Sequence, residues 1–129
     1  MKIYRLEYRN IGCYAVFNYT YLNFFRKMVD EHCSTDYPTI FEDFSSIPDL
    51  HSYFCACPSA ESFYKWFDGY WDNWKRCKLA KVLILEVEDS IVGKSGKQCV
   101  FKWEDVISKQ EVSVKEFLQN YKKGVHHDS

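Results

Sequence analysis

Residues 2–8 alternate, with Ile3 and Arg5 on one face and Tyr4, Leu6 and Tyr8 on the other, which predicts a first strand with Arg5 projecting from the less apolar face. Beyond Asn18, a residue suited to an N-cap, Tyr21, Phe24, Phe25, Met28 and Val29 recur at helical spacing up to about Glu31. Residues 32–50 break that rhythm with Ser34, Asp36, Pro38, Ser45, Ser46 and Pro48, and a segment of this length predicts a functional loop. Alternation resumes over residues 52–57. Pro58 and Ser59 then open a helix carrying Phe63, Trp66 and Phe67 on one side, extended by Trp71 and Trp74.

The run Val82, Leu83, Ile84, Leu85 and Val87 is apolar on both faces, as a central strand requires. A hairpin follows, with residues 90–93 and 98–101 flanking Lys94, Ser95, Gly96 and Lys97; Gly96 supplies the positive φ of the turn. After a further strand over residues 106–112, Ser113 and Glu116 form a capping box ahead of Val114, Phe117, Leu118 and Tyr121 at helical spacing. The order β, α, loop, β, α, β, β, β, α predicts an α+β fold, mostly antiparallel in its second half. No repeat or Pro/Gly-rich linker divides it, so residues 1–121 read as one domain and 122–129 as a frayed tail.

Composition sharpens this picture in three places. At 129 residues with 47% hydrophobic and 27% charged positions, the chain supports one packed core and excludes disordered, collagen-like and coiled-coil classes. Aromatic residues reach 19%, which suits a core and a recognition surface both built from flat rings. Seventeen Lys and Arg against 18 Asp and Glu leave a net charge of -1, so no global field favours nucleic acid or an anionic membrane. The apolar stretches are too short to span a bilayer, and the N-terminal residues lack a cleavable apolar core; a cytoplasmic protein is expected.

Several constellations suggest chemistry. Gly93, Lys94 and Ser95 match the end of a phosphate loop, but the Gly five positions earlier is replaced by Glu88 and a strand follows instead of a helix. Cys55, Cys57, Cys77, His32 and His51 lack the paired knuckles of a zinc site, so no metal is expected; adjacent His32 and Cys33 make a poor base and nucleophile. Lys75, Arg76, Lys78 and Lys81 form a basic patch suited to phosphates, equally explained as the cationic end of a helix. The opposite sign collects in the long loop. There Asp36, Glu42 and Asp43 sit among Tyr37, Phe41 and Phe44, a pattern suited to a partner-binding surface.

The blocks IYRLE, HCSTDYPTIFEDF, FCACPSAESFYKWF, VLILEVE and VGKSGKQCVF, in this order over residues 3–103, resemble small phage and mobile-element proteins related to the ADP-ribosyltransferase-like fold. The resemblance implies a small split antiparallel sheet flanked by helices, with a cleft between its halves. It also implies that Arg5 occupies the dinucleotide-holding position of the first strand, that Ser59 stands near the middle motif, and that Gln98 occupies the late catalytic position. A Gln there cannot carry the negative charge that stabilises an oxocarbenium ion, and Glu104 is the substitute carboxylate to consider. The resulting expectation is an anti-CRISPR or anti-defence inhibitor without a cofactor, binding a host protein such as a nucleic-acid-binding nuclease. The alternatives are an active ADP-ribosyltransferase using NAD and, less favoured, a nucleic-acid binder.

With neither an export signal nor zinc knuckles, all six Cys are expected to be reduced thiols without stoichiometric metal. Elemental analysis of the purified chain should find no zinc; one zinc per chain would reverse this expectation.

Overall fold

The computed structural model describes residues 1–13, 24–32, 34 and 36–124. Over these residues the chain is an α+β fold with two antiparallel sheets and five helices. The larger sheet has the order β2-β1-β4-β7, built from β1 (Lys2–Tyr8), β2 (Ile11–Gly12), β4 (Ala80–Val87) and β7 (Val106–Ser113). The smaller has the order β3-β6-β5, from β3 (Phe54–Ala56), β5 (Ile91–Val92) and β6 (Cys99–Phe101).

Strand β4 is central because it is apolar on both faces. Its pairing with β1 sets Ile3 against Leu85, Arg5 against Leu83 and Glu7 against Lys81. Tyr4, Leu6 and Tyr8 thereby point, with Val82 and Val112, into the main core, where they meet Phe63, Trp66, Trp71, Trp74 and Phe117. The other face sends Ile3, Leu83, Leu85 and Val87 against Ala56, Cys99 and Phe101 of the small sheet. The large sheet is therefore covered by helices on one side and, along part of the other, by a second sheet.

The helices are α1 (Phe25–Glu31), α2 (Ile40–Asp43), α3 (Ala60–Trp66), α4 (Trp71–Arg76) and α5 (Val114–Lys122). Ser59 caps α3 and Ser113 caps α5; Ser113 Oγ accepts the Glu116 N–H at 3.0 Å, one half of the expected capping box. The sequence pattern predicts one helix running on through Trp71 and Trp74, but Gly69 at φ 90° ends the first, and Trp71 starts another. Trp71 Nε1 then bonds back to the Tyr64 carbonyl at 2.9 Å. The alternating segment at residues 52–57 shortens to β3, because Leu50–Ser52 forms a 3-10 turn. Helix α5 runs one residue past the expected domain end at 121. Asn18, Tyr21, Cys33 and residues 125–129 lie outside the described residues.

Two sheets need a join. Tyr4 stands opposite Ile84 of β4 on one edge and bonds Cys57 on the other, through Tyr4 N–H to Cys57 O at 2.9 Å and Cys57 N–H to Tyr4 O at 2.7 Å. Further along the same edge, Glu7 and Tyr8 pair with β2. Between these two attachments β2 and β3 splay apart.

His32, just after α1, is buried among the rings of Tyr37, Trp66 and Phe67, with centroids at 5.1, 5.0 and 5.7 Å. Burial disfavours the imidazolium and lowers its pKa from 6.5 to about 4. Between these values the unfolded chain takes up a proton that the folded chain refuses. Stability should therefore fall by about 3 kcal/mol as pH drops from neutral to about 4, and this contribution should level off below. Urea unfolding across this window, compared with His32→Phe, isolates the effect: the difference between the two proteins should carry that slope.

Candidate functional site

The splay opens a cleft of about 740 Å³ beside β1, lined by residues of β1, β2, β3, α2, α3, β4 and β7. Its making begins with β1, whose alternation puts Arg5 and Glu7 on the same face. Both are buried, 7% and 6% exposed, and Arg5 Nε donates to Glu7 Oε2 at 3.0 Å. The guanidinium then crosses the opening. Its Nη1 donates to the Cys55 carbonyl at 2.7 Å, and its Cζ lies 5.6 Å from the centre of the Phe54 ring. Gly12 leaves room opposite it: a Cβ there would stand 2.7 Å from Nη2, so a larger residue would make the guanidinium shift.

The floor continues as a line of alternating charge. Lys81 Nζ donates to Asn10 Oδ1 at 2.6 Å and to Glu111 Oε1 at 3.0 Å, and Lys109 reaches the same Glu111 oxygen at 3.4 Å. These two cations hold the Glu111 carboxyl below its usual range. Tyr53, Phe54 and Trp103 form an aromatic wall, and Ile40 and Ile11 contribute apolar edges. A concave site of this size, with convergent polar groups and aromatic walls, can hold a flat or extended ligand. Cys13, Cys55 and Cys57 also line it. Burial, reinforced by neighbouring thiols, pushes the Cys57 thiol well up, so it is no nucleophile. Among the described residues no group of His, Cys, Asp and Glu could hold a metal, and no helix is long and apolar enough to cross a membrane.

Of the four candidate catalytic residues, the fold brings two together: Arg5 and Gln98 line the same cleft. Gln98 is buried and its Nε2 donates to the Pro38 carbonyl at 2.9 Å. Ser59 does not join them, since it caps α3 and faces a separate hollow beside Tyr37 and Lys97. Glu104 is exposed on the turn that supplies Trp103 and does not reach the cleft.

The loop candidates divide differently from the expected aromatic centre and acidic rim. Asp43 and Phe44 are 3% and 2% exposed, so neither can touch a partner. Asp43 instead accepts from the Ser95 N–H and hydroxyl, both at 2.7 Å, and its carbonyl accepts from the Lys94 N–H at 3.1 Å. Gly93 leaves room for this carboxylate where any Cβ would collide with it. Lys97 Nζ donates to the Asp36 carbonyl at 2.5 Å and lies over the Tyr37 ring, which is half-buried against Trp66. The segment expected to be a functional loop is clamped to the β5–β6 hairpin, and it carries α2, capped by a Thr39–Glu42 box. Asp36, Phe41 and Glu42 remain exposed, Phe41 at 75%.

The basic patch is broken in the same way. Lys75, Arg76 and Lys78 stay exposed at the end of α4, while Lys81 belongs to the cleft floor. Glu7, Lys109, Glu111, Phe54 and Trp103 escape the sequence reading, although Arg5 with Glu7 and Lys109 with Glu111 each show opposite charges two apart on a strand, which places them on one face.

A model of the family described as Bacteriophage T4 Y00F protein matches residues 1–115. The chain belongs to that family. It is thus a phage-type protein, and the match runs from β1, which carries Arg5, into α5 and spans every residue named in the cleft. No curated protein and no solved structure matches it significantly.

Arg5→Ala leaves Glu7 buried without its ion-pair partner, and should cost about 3–5 kcal/mol. Arg5→Met combined with Glu7→Leu should recover most of that loss. Chemical denaturation of the single and double variants measures both, and equal losses in the two would remove the ion pair from the account.

Proposed function

We propose that this phage protein binds and inhibits a host macromolecule, in the manner of anti-CRISPR and other anti-defence proteins, and that the rim of the inter-sheet cleft is its contact surface. The observation that carries this reading is a set of rings, Phe41, Phe54 and Trp103, that among the described residues stay outside an aromatic-rich core. Phe54 and Trp103 stand 6.0 Å apart at 43% and 38% exposure, on the wall of a cleft whose other edge leads from Ile40 to the exposed Phe41. Rigid rings around a concave, polar-floored site are the composition of an interface centre. The exposed carboxylates of Asp36 and Glu42 complement a basic partner, such as a nucleic-acid-binding nuclease. The site of action in this reading is the host cytoplasm, without a membrane anchor, metal or cofactor.

Binding is favoured over catalysis because the cleft's polar groups are already engaged. The Gln98 amide holds Pro38, Glu7 is paired with Arg5, and Glu111 with two lysines. On the ADP-ribosyltransferase-like fold that the sequence resembles, this is a catalytically decayed scaffold. Active ADP-ribosyl transfer from NAD is the second reading, favoured by the convergence of Arg5, Glu7 and Gln98 on one cleft. Calorimetric titration with NAD separates them: a bound and turned-over dinucleotide would put the enzyme first. Direct nucleic-acid binding is third, since Lys81 is drawn away from Lys75, Arg76 and Lys78.

Recovery of a host partner from lysate by the intact chain, followed by calorimetry with Trp103→Ala and Phe41→Ala, tests the rim. Each variant should melt close to the parent while weakening the partner by about 2 kcal/mol or more. Unchanged affinity in both would exclude the rim as the contact surface.

A further inference from the structure

We propose that β7 is a dimerisation edge, on which a second copy of this chain adds its own β7 antiparallel about a two-fold axis at Gln110. Strand β7 lies at the end of the large sheet and spans eight residues, while β2 and β5 have two each and β3 has three. No described residue pairs with its outer edge, and residues 107–111 are all exposed, Ile107 at 61%. A long strand edge without Pro is a template for another strand, and most proteins shorten or cover it.

The occupant follows from the charges. With Gln110 opposite Gln110, the Lys109 of each copy faces the Glu111 of the other on the cleft side of the sheet, and Ser108 faces Val112 on the helix side. This puts two opposite-charge pairs across the seam. Sliding the pairing by two residues in one direction sets Lys109 against Lys109, and in the other Glu111 against Glu111. A slip by one reverses the faces. A single register is therefore complementary, and it is complementary to the strand's own sequence, as an isologous interface requires. Lys109 already lies 3.4 Å from Glu111 in its own strand, so both side chains are extended along the seam they would share. The result is a continuous eight-stranded sheet with both clefts opening on the same face.

Sedimentation velocity over a rising concentration series should show the parent chain passing from monomer to dimer. Lys109→Glu and Glu111→Lys each place like charges across the seam twice, and each should weaken the dimer by about tenfold or more. An equimolar mixture of the two variants restores opposite charges at both positions and should form a heterodimer of parent strength. Because Glu111→Lys also loses the Lys81 contact, amide hydrogen exchange on the parent chain supplies an independent reading: the alternate amides of residues 107–113 that face away from β4 should slow as concentration rises. A parent chain that stays monomeric at several hundred micromolar, dimers undiminished in both variants, or a mixture no tighter than its components would each overturn the proposal.

Discussion

The guanidinium of Arg5, a fork of donors buried between two sheets, is the constraint around which this protein is arranged. Arg5 must find anions and carbonyls wherever the chain puts it, and it finds Glu7 on its own strand and Cys55 on the facing one. That demand fixes which face of β1 turns toward the small sheet. Once Arg5 and Glu7 face the cleft, Tyr4, Leu6 and Tyr8 have only the helical side to enter, and Leu83 and Lys81 of β4 are set opposite the ion pair. A slip of one residue would drive two charges into the stack of Phe63, Trp74 and Phe117, which no rearrangement of neighbouring rings could satisfy.

The sequence pattern discloses elements whose cause is local. The alternation of β1, the two-faced apolar run of β4, the hairpin turn at Gly96 and the Ser113 cap are all written within a few residues, and all are found in place. The segment at residues 32–50 is different, because what orders it is remote. Asp43 is held by Ser95 across 52 positions, and the Gln98 amide reaches Pro38 across 60. No local rule distinguishes the buried carboxylate of Asp43 from the exposed one of Glu42 beside it. The site divides along the same line: the alternation of β1 shows on which face Arg5 lies, while Gln98 enters only through the family resemblance, and Phe54 and Trp103 are two rings among 24 that only the packing of the others shows to be left outside.

Charge in the cleft alternates at short range. Glu7 answers Arg5, and Glu111 lies between Lys81 and Lys109, so three cations meet two carboxylates and the floor offers directed hydrogen bonds with a single residual positive charge. A surface of this kind discriminates by fit: a misplaced donor or acceptor leaves a partner unmatched, while long-range attraction contributes little to the encounter. The aromatic wall has the complementary property. Phe54, Phe101 and Trp103 pack ring to ring at 5.0–6.2 Å, so the exposed surface they present is already stiff and loses little freedom on contact.

The same pair of charges has a role before the fold exists. During synthesis β1 leaves the ribosome long before β4, its one long neighbour among the described residues; the N-terminal amine and Glu86, which meet in the finished sheet, are 85 positions apart. At about 5–20 residues per second that interval lasts several seconds, through which an alternating strand rich in Tyr, Ile and Leu stays unpaired. Interrupting it with Arg5 and Glu7 gives the waiting strand a hydrated, net-neutral face that resists self-association, as flanking charges do in other aggregation-prone segments. The residues that lock the two sheets together in the native molecule are thus also the ones that keep its first strand dispersed until there is a sheet to join.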